Sequence, residues 1–260
     1  MIYVKDVFNL LLTRIRKDLR GKSISVDEFN EVIKDVNLSL FEDFYKEFEK
    51  NIESSDTLAK FKVFDAQVVV TADTNNLAAV GILPSDYYHI IGKPRRYATA
   101  GTVRIDVVST YENAEREDDY LTQPTTTHPT CMIGGVDTSS SPVEYKKIRV
   151  YPYNIGSPIY IDYLKAPQTP FLDYYVSDTL LTYTYLDEGA TVSVPLGYTY
   201  RDGTAGGAAV SVTSYTRDLD WDDEDMDLIM AKLMQILGIQ LPDEILMQAG
   251  TLNEAKITGK

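Results

Sequence analysis

Three side chains in this sequence are of the types that serve as nucleophile, general base or soft-metal ligand: Cys131, His89 and His128. His128-Pro129-Thr130-Cys131 has an H-x-x-C spacing. A zinc site needs three or four such ligands, and no second Cys or His cluster exists to complete one. Acyl transfer by a Cys–His pair needs a base held against the thiol and oriented by a third group, for which a proline-studded segment gives no reason. The acidic runs Glu112 to Asp119 and Asp220 to Asp227 offer oxygens for a hard cation. Neither has the glycine-punctuated spacing of a calcium loop, and helix capping alone explains the second. Phosphate-cradling, dinucleotide-binding and nucleophile-elbow motifs are absent. No enzyme chemistry, metal or cofactor is implied; a carboxylate pair meeting only in space is not legible among 39 acidic residues.

The elements that must position any functional surface are of three kinds. In residues 1 to 56, Val4, Val7, Phe8, Leu11, Leu12, Ile15 and Leu19 recur on one helix face, and Gly21 follows as a helix stop. Ser25-Val26-Asp27-Glu28 is a capping box, after which Val26, Phe29, Ile33, Val36, Leu40, Phe44 and Phe48 line a second, longer helix, with Phe41 and Tyr45 broadening its stripe. The pair is expected as an antiparallel hairpin. Residues 57 to 217 carry short β-branched and aromatic runs at 61–64, 67–71, 103–108, 147–151, 159–163, 182–185, 191–194 and 210–213. Two stretches depart from that pattern: 77–91 reads as helical at one or both ends, and 112–142 as a long loop. Asp202 to Gly207 marks a second flexible turn within 201–208. In residues 218 to 260, Asp220 is the expected N-cap of a helix with Met226, Ile229, Met230, Leu233, Ile236 and Leu237 on its buried face, stopped at Gly238. Pro242 opens a shorter helix, and the tail beyond Gly250 is polar. The fold class is α+β, with helices at both ends around a central antiparallel β-rich domain.

A net charge of −14 argues against nonspecific nucleic-acid binding, which needs cations to neutralise phosphates, and against anionic membranes. The same charge suits either a soluble free subunit or the wall of a channel along which DNA slides. One cysteine excludes an intrachain disulfide, no apolar run reaches the roughly 20 residues of a membrane span, and the charged N-terminal turns are unlike a signal peptide.

Three segments carry a family likeness: "LPSDYYHIIG" at Leu83 to Gly92, "YPYN" running on to "IYIDYLKAPQTP" at Tyr151 to Pro170, and the Asp220-Trp221-acidic helix start that leads to "LGIQL". In this order they resemble the virion structural proteins of crAss-like phages, in the group that forms portal-proximal rings and head-to-tail adaptors. The resemblance implies a dodecameric homo-oligomeric ring stacked against the portal, with neighbouring tail or ring proteins as partners. DNA would pass through the channel without specific binding, in a virion assembled in the host cytoplasm. Candidate interface residues are Leu83, Pro84, Tyr87 and Tyr88, Asp118 and Tyr120 in the expected docking loop, and Trp221. Tyr87 and Tyr88 also suit packing of the helical hairpin onto the β domain. The 112–142 stretch is expected to be removable without unfolding the protein. A Tyr-rich β module of a tail or host-attachment protein, recognising carbohydrate or a surface partner, is the other reading of the same composition.

Overall fold

The computed structural model describes residues 1–18, 24–50, 58–74, 77–98, 101–119, 121–137, 145–207 and 210–238. Helix α1 (Val4–Asp18) buries Val4, Val7, Phe8, Leu11 and Ile15, and α2 (Val26–Lys50) buries Val26, Phe29, Ile33, Val36, Leu40, Phe41 and Phe44. The capping box closes as its residue types dictate. Ser25 N–H donates to Glu28 Oε2 at 2.9 Å, and Glu28 N–H donates to Ser25 Oγ at 3.2 Å. That hydrogen bonding, from backbone first and hydroxyl second, holds the Glu28 carboxyl below its ordinary range. The expected stop at Gly21 lies outside the described residues, as do Pro242 and the tail.

The strands, in chain order, are β1 (Lys62–Val68), β2 (Val70–Asp73), β3 (Ala78–Ile82), β4 (Tyr87–Ile90), β5 (Arg95–Ala98), β6 (Gly101–Arg104), β7 (Asp106–Val107), β8 (Thr130–Asp137), β9 (Tyr145–Tyr151), β10 (Ile159–Lys165), β11 (Tyr174–Ser177), β12 (Tyr183–Tyr185), β13 (Thr191–Ser193), β14 (Tyr198–Tyr200) and β15 (Ser211–Thr213). Helix α3 (Thr110–Asp118) lies between β7 and β8, and α4 (Met226–Ile236) follows β15. The class is α+β.

The chain divides into two compact units. The first joins Met1–Lys60 to Pro167–Lys260, and the second is Phe61–Ala166. The N-terminal helices, the C-terminal helix and β11 to β15 therefore share a unit. In it, α4 packs against both α1 and α2, and the Phe8 and Phe29 rings meet at 4.8 Å. Its strands form a three-stranded sheet, β12-β11-β14, and a two-stranded one, β13-β15. The second unit holds two five-stranded sheets: β1-β10-β5-β6 with β4 also paired to β10, and β2-β3-β9-β8-β7. Among the described residues all strand pairs are antiparallel except β7 with β8. Val68, Ile159, Ile161 and Tyr163 from the first sheet and Val70, Ala79, Cys131, Ile148 and Val150 from the second make one core, the arrangement of two inner faces packed together.

Several expectations are corrected. Residues 77–91 form no helix: β3 pairs with β9 in register (Ala79↔Val150, Gly81↔Ile148) and β4 pairs with β10 (His89↔Leu164), so ladder hydrogen bonds override the local apolar run. The segment 112–142 is not one loop. Its acidic start is α3, with Ser109 Oγ accepting from Glu112 N–H at 3.1 Å, and its residues 130–137 are β8, an interior strand of the second sheet; 138–142 lie outside the described residues. Removing it would take Cys131 out of the core. The described part of 201–208 is the expected turn, with Gly203 at φ 89° and Asp202 Oδ1 accepting from Thr204 N–H at 2.8 Å. Asp222, not Asp220, opens the last helical segment: it forms a capping box with Asp225, whose Oδ2 accepts from Asp222 N–H at 3.3 Å. The buried face of α4 is Leu228, Ile229, Met230, Leu233 and Met234, rotated from the expected one, and Ile236 is exposed. Gly238, at φ 66°, ends it as expected.

Candidate functional site

Among the described residues, polar side chains converge at three places, two in the first unit and one in the second. On α2, Asn30 and Asn37 sit one heptad apart within the buried stripe. Asn30 Nδ2 donates to Leu172 C=O at 2.9 Å, and its Oδ1 accepts from Leu172 N–H at 2.8 Å, pairing with that residue as a strand neighbour would. Asn37 Nδ2 donates to Gln168 C=O at 2.9 Å, and its Oδ1 accepts from the Trp221 indole N–H at 2.7 Å. Gln168 in turn donates its backbone N–H to Asp220 Oδ2 at 3.3 Å and its Nε2 to Asp218 C=O at 3.0 Å. The two asparagines thus fix the extended segment after β10 and the start of the last helical segment against one helix face. Trp221 is buried, 5.6 Å from the Phe44 ring, and is a packing anchor of the unit.

The second convergence surrounds Asp173, which is fully buried. Its carboxylate accepts from Tyr215 N–H at 2.8 Å, from its neighbour Tyr174 N–H at 2.9 Å, and from the Tyr200 hydroxyl. It is ion-paired with Arg201 at 2.7 Å. The Arg201 guanidinium lies 4.8 Å from the Phe171 ring centroid and 5.2 Å from that of Tyr215. Burial, then the Asp173 carboxylate, pushes the Tyr200 hydroxyl up to about 12. A charge this well hydrogen-bonded and paired is a clamp on β11, β14 and residue 215, and its oxygens are used by the protein itself.

The third lies on the first sheet of the second unit. A bulge between Val63 and Ala66 puts Asp65 at φ 55° and turns its carboxylate toward β5. Arg95 Nη1 and Nη2 grip Asp162 at 2.7 and 2.8 Å, while its Nε and Nη2 donate to Asp65 Oδ1 at 3.0 and 2.8 Å. Tyr97 adds its hydroxyl to Asp65 at 2.8 Å and sets its ring 4.7 Å from Tyr160. The Arg95 and Tyr97 hydrogen bonds hold the Asp65 carboxyl below its usual range, and the two carboxylates raise Arg95. A recess of about 590 Å³ beside it is lined by Gly92, Lys93, Arg95, Thr102, Arg104 and Asp162. Each nitrogen of Arg95 is occupied, and Lys93 pairs with Asp106 at 2.6 Å, so neither is poised for an anion.

The sequence-selected residues fall elsewhere. Cys131 is in the sheet core, where burial and then Asp106 push its thiol up to about 12. His128 is exposed in a turn, its N–H donating to Thr125 Oγ1 at 3.1 Å, so the H-x-x-C spacing brings no shared site. His89 is exposed on β4. Among the described residues no group of three or more His, Cys, Asp or Glu is placed to hold a metal. Leu83 is buried, and its N–H donates to Lys146 C=O at 2.9 Å. Pro84, Tyr87 and Tyr88 are half-buried, and Tyr87 packs 5.8 Å from Tyr163 beneath the Lys146 ammonium at 5.3 Å. Burial pushes the Tyr87 hydroxyl up to about 12. Asp118 ends α3, and Tyr120 lies outside the described residues. Sequence reasoning missed Asn30, Asn37, Asp173 and Arg95. The asparagines carried a signal, two polar residues seven apart inside an apolar stripe; the charged pair partners meet only through the fold.

No protein-family model matches this chain, and no curated protein matches it. Among the described residues no helix is long and apolar enough to cross a membrane.

Proposed function

We propose that this chain is a structural subunit of a phage virion, assembling into an oligomeric ring that serves as a head-to-tail adaptor between portal and tail, through which DNA passes. The observation that carries the reading is the convergence on Asn37. The "YLKAPQTP" segment, through Gln168, and the Asp220-Trp221 helix start, through Trp221, are two of the motifs behind the family likeness, and both are spent on building one framework around α2. Motifs used in this way mark a shared scaffold, which leaves function to the surfaces it presents. The charge of −14 supports a conduit that repels phosphates instead of gripping them.

The half-exposed Tyr97 beside Tyr160, Arg95 and Asp65 favours a second reading, a module that stacks on sugars and hydrogen-bonds them. Electron microscopy of the purified protein, alone and mixed with its portal, tests the first. Closed dodecameric rings, free or on the portal, are the expected result. Monomers that ignore the portal, together with a glycan-dependent rise in melting temperature that Tyr97→Ala removes, would overturn it in favour of the second.

A further inference from the structure

Two adjacent turns of the first unit display leucines to solvent. Leu180 and Leu181, between β11 and β12, are both 72% exposed, and Leu196, between β13 and β14, is 86% exposed. The turns are tied together, with Asp178 N–H donating to Gly197 C=O at 2.9 Å. Leu181 has φ 52°, the left-handed region that a leucine adopts at a cost, so a bulky apolar side chain stands where glycine or asparagine would be easier. The exposed carboxylate in the turn itself is Asp178; Asp187, paired with Lys5, and Glu188 follow beyond β12, Asp173 is buried against Arg201, and no Lys or Arg occurs from residue 166 to residue 200.

The second unit carries the opposite surface. An open groove of about 430 Å³ is walled by Val69, Val80, Ile82 and Pro84, with Val69 67% exposed. Its neighbouring strand is basic: Lys147 stands directly across from Ile82 and Arg149 across from Val80. An apolar tip with Asp178 in its turn and an apolar groove beside a strand carrying Lys147 and Arg149 are complementary in apolar character and in the sign of the flanking charge.

The geometry points to a head-to-tail contact between copies of this chain, in which the Leu180–Leu181–Leu196 tip of one subunit enters the Val69–Ile82 groove of the next. This deepens the ring reading and rests on it, since a heterologous contact of this kind closes into a ring at a fixed rotation and otherwise runs on as a filament. Three leucines cover less than the roughly 800 Å² per partner of a stable complex, so the contact is weak in dilute solution and needs high concentration or a template.

Cross-linking of the full chain tests it, with the buried, unreactive Cys131 as a silent background. Both test positions are exposed, so the variants fold. Leu181→Cys and Val69→Cys proteins, mixed and oxidised at high concentration, are expected to give a disulfide-linked pair that neither gives alone. The double variant is expected to give a ladder of covalent oligomers. Adding Leu196→Glu to the double variant should cut the ladder about tenfold or more, the factor that goes with burying one leucine. Three outcomes overturn the contact: pairs formed by Leu181→Cys alone, a double variant that closes within one chain, or no cross-link at all. Microscopy separates the two readings. Rings on the portal without a ladder keep the ring and remove this contact; a ladder without closed rings keeps the contact and removes the ring.

Discussion

The two units hold their chain in different ways. The second is a ladder protein: two five-stranded sheets satisfy most backbone groups strand to strand, and the side chains between them are almost all apolar. The first has strands of only three or four residues, and it relies on single polar side chains to satisfy backbone that no neighbour strand reaches. Asn30 and Asn37 take up Leu172 and Gln168, Thr216 Oγ1 donates to Leu186 C=O at 2.6 Å, and Asp218 Oδ1 accepts from Val4 N–H at 2.9 Å. The difference teaches where each unit is vulnerable. A ladder distributes its hydrogen bonds; a side-chain brace concentrates them, so that one substitution leaves several buried groups unpaired.

The largest loss is expected in the first unit from Leu233→Asp, which puts an unpaired charge on the fully buried face of α4. A cost of about 3–5 kcal/mol should appear as early melting of that unit, with protected amides of the second unit unchanged in hydrogen exchange. Equal loss of protection in both units would mean that they unfold as one. Next, Asn37→Ala strands the Trp221 indole N–H and the Gln168 carbonyl, at about 1–3 kcal/mol each. Denaturant midpoints that barely move would show that water replaces the brace.

In the second unit the sharpest probe is a single methyl. At Gly81, a Cβ would lie 2.8 Å from Val68 Cγ1, 2.9 Å from Val70 Cγ1 and 3.0 Å from the Val69 carbonyl oxygen. Gly81→Ala should cost about 1–3 kcal/mol by overpacking, and a neutral result would mean that β2 and β3 can shift apart.

The smallest effect separates two carboxyls by sign. Burial, opposed by the Val4 N–H and reinforced by Glu188, raises Asp218 above its ordinary value. The folded state therefore binds that proton more tightly than the unfolded chain, and the stability it gives is full at low pH and lost as pH rises through the folded value. Asp65 is lowered, so its contribution is present above the unfolded value of about 3.8 and lost on acidification. Relative to wild type, Asp218→Asn should gain stability as pH rises from about 4 to 7, whereas the deficit of Asp65→Asn should be constant over that range and shrink only as pH falls below about 4. Matching slopes for both variants in pH-dependent melting would contradict this assignment.

The contrast also explains what could be read without coordinates. Helix α2 and its capping box were legible because period and cap chemistry are local. So were β9 and β10, where Ile148, Val150, Ile159 and Ile161 alternate inward. β3 was not, since "LAAVGIL" suits a helix as well as a strand, and its pairing with β9, some seventy residues away by sequence number, decides the matter. β8 was hidden by Gly134 and Gly135, which belong to the register shift between Ile133 and Val136. α3 was hidden by acidity, although Ser109 ahead of Glu112 marks its start. The braces were the least legible, because Asp173, Asp218 and Trp221 acquire their roles from partners far along the chain.

The cap on α1 has a temporal consequence. Asp218 lies 214 residues beyond Val4. At about 5–20 residues per second, a ribosome takes on the order of 10–40 s to deliver it after α1 emerges. The inserted second unit is fully synthesised within that interval, while the apolar faces of α1 and α2 wait for α4. Nascent chains stalled when residue 166 has just cleared the ribosome should therefore carry a finished second unit and a first unit in the keeping of chaperones.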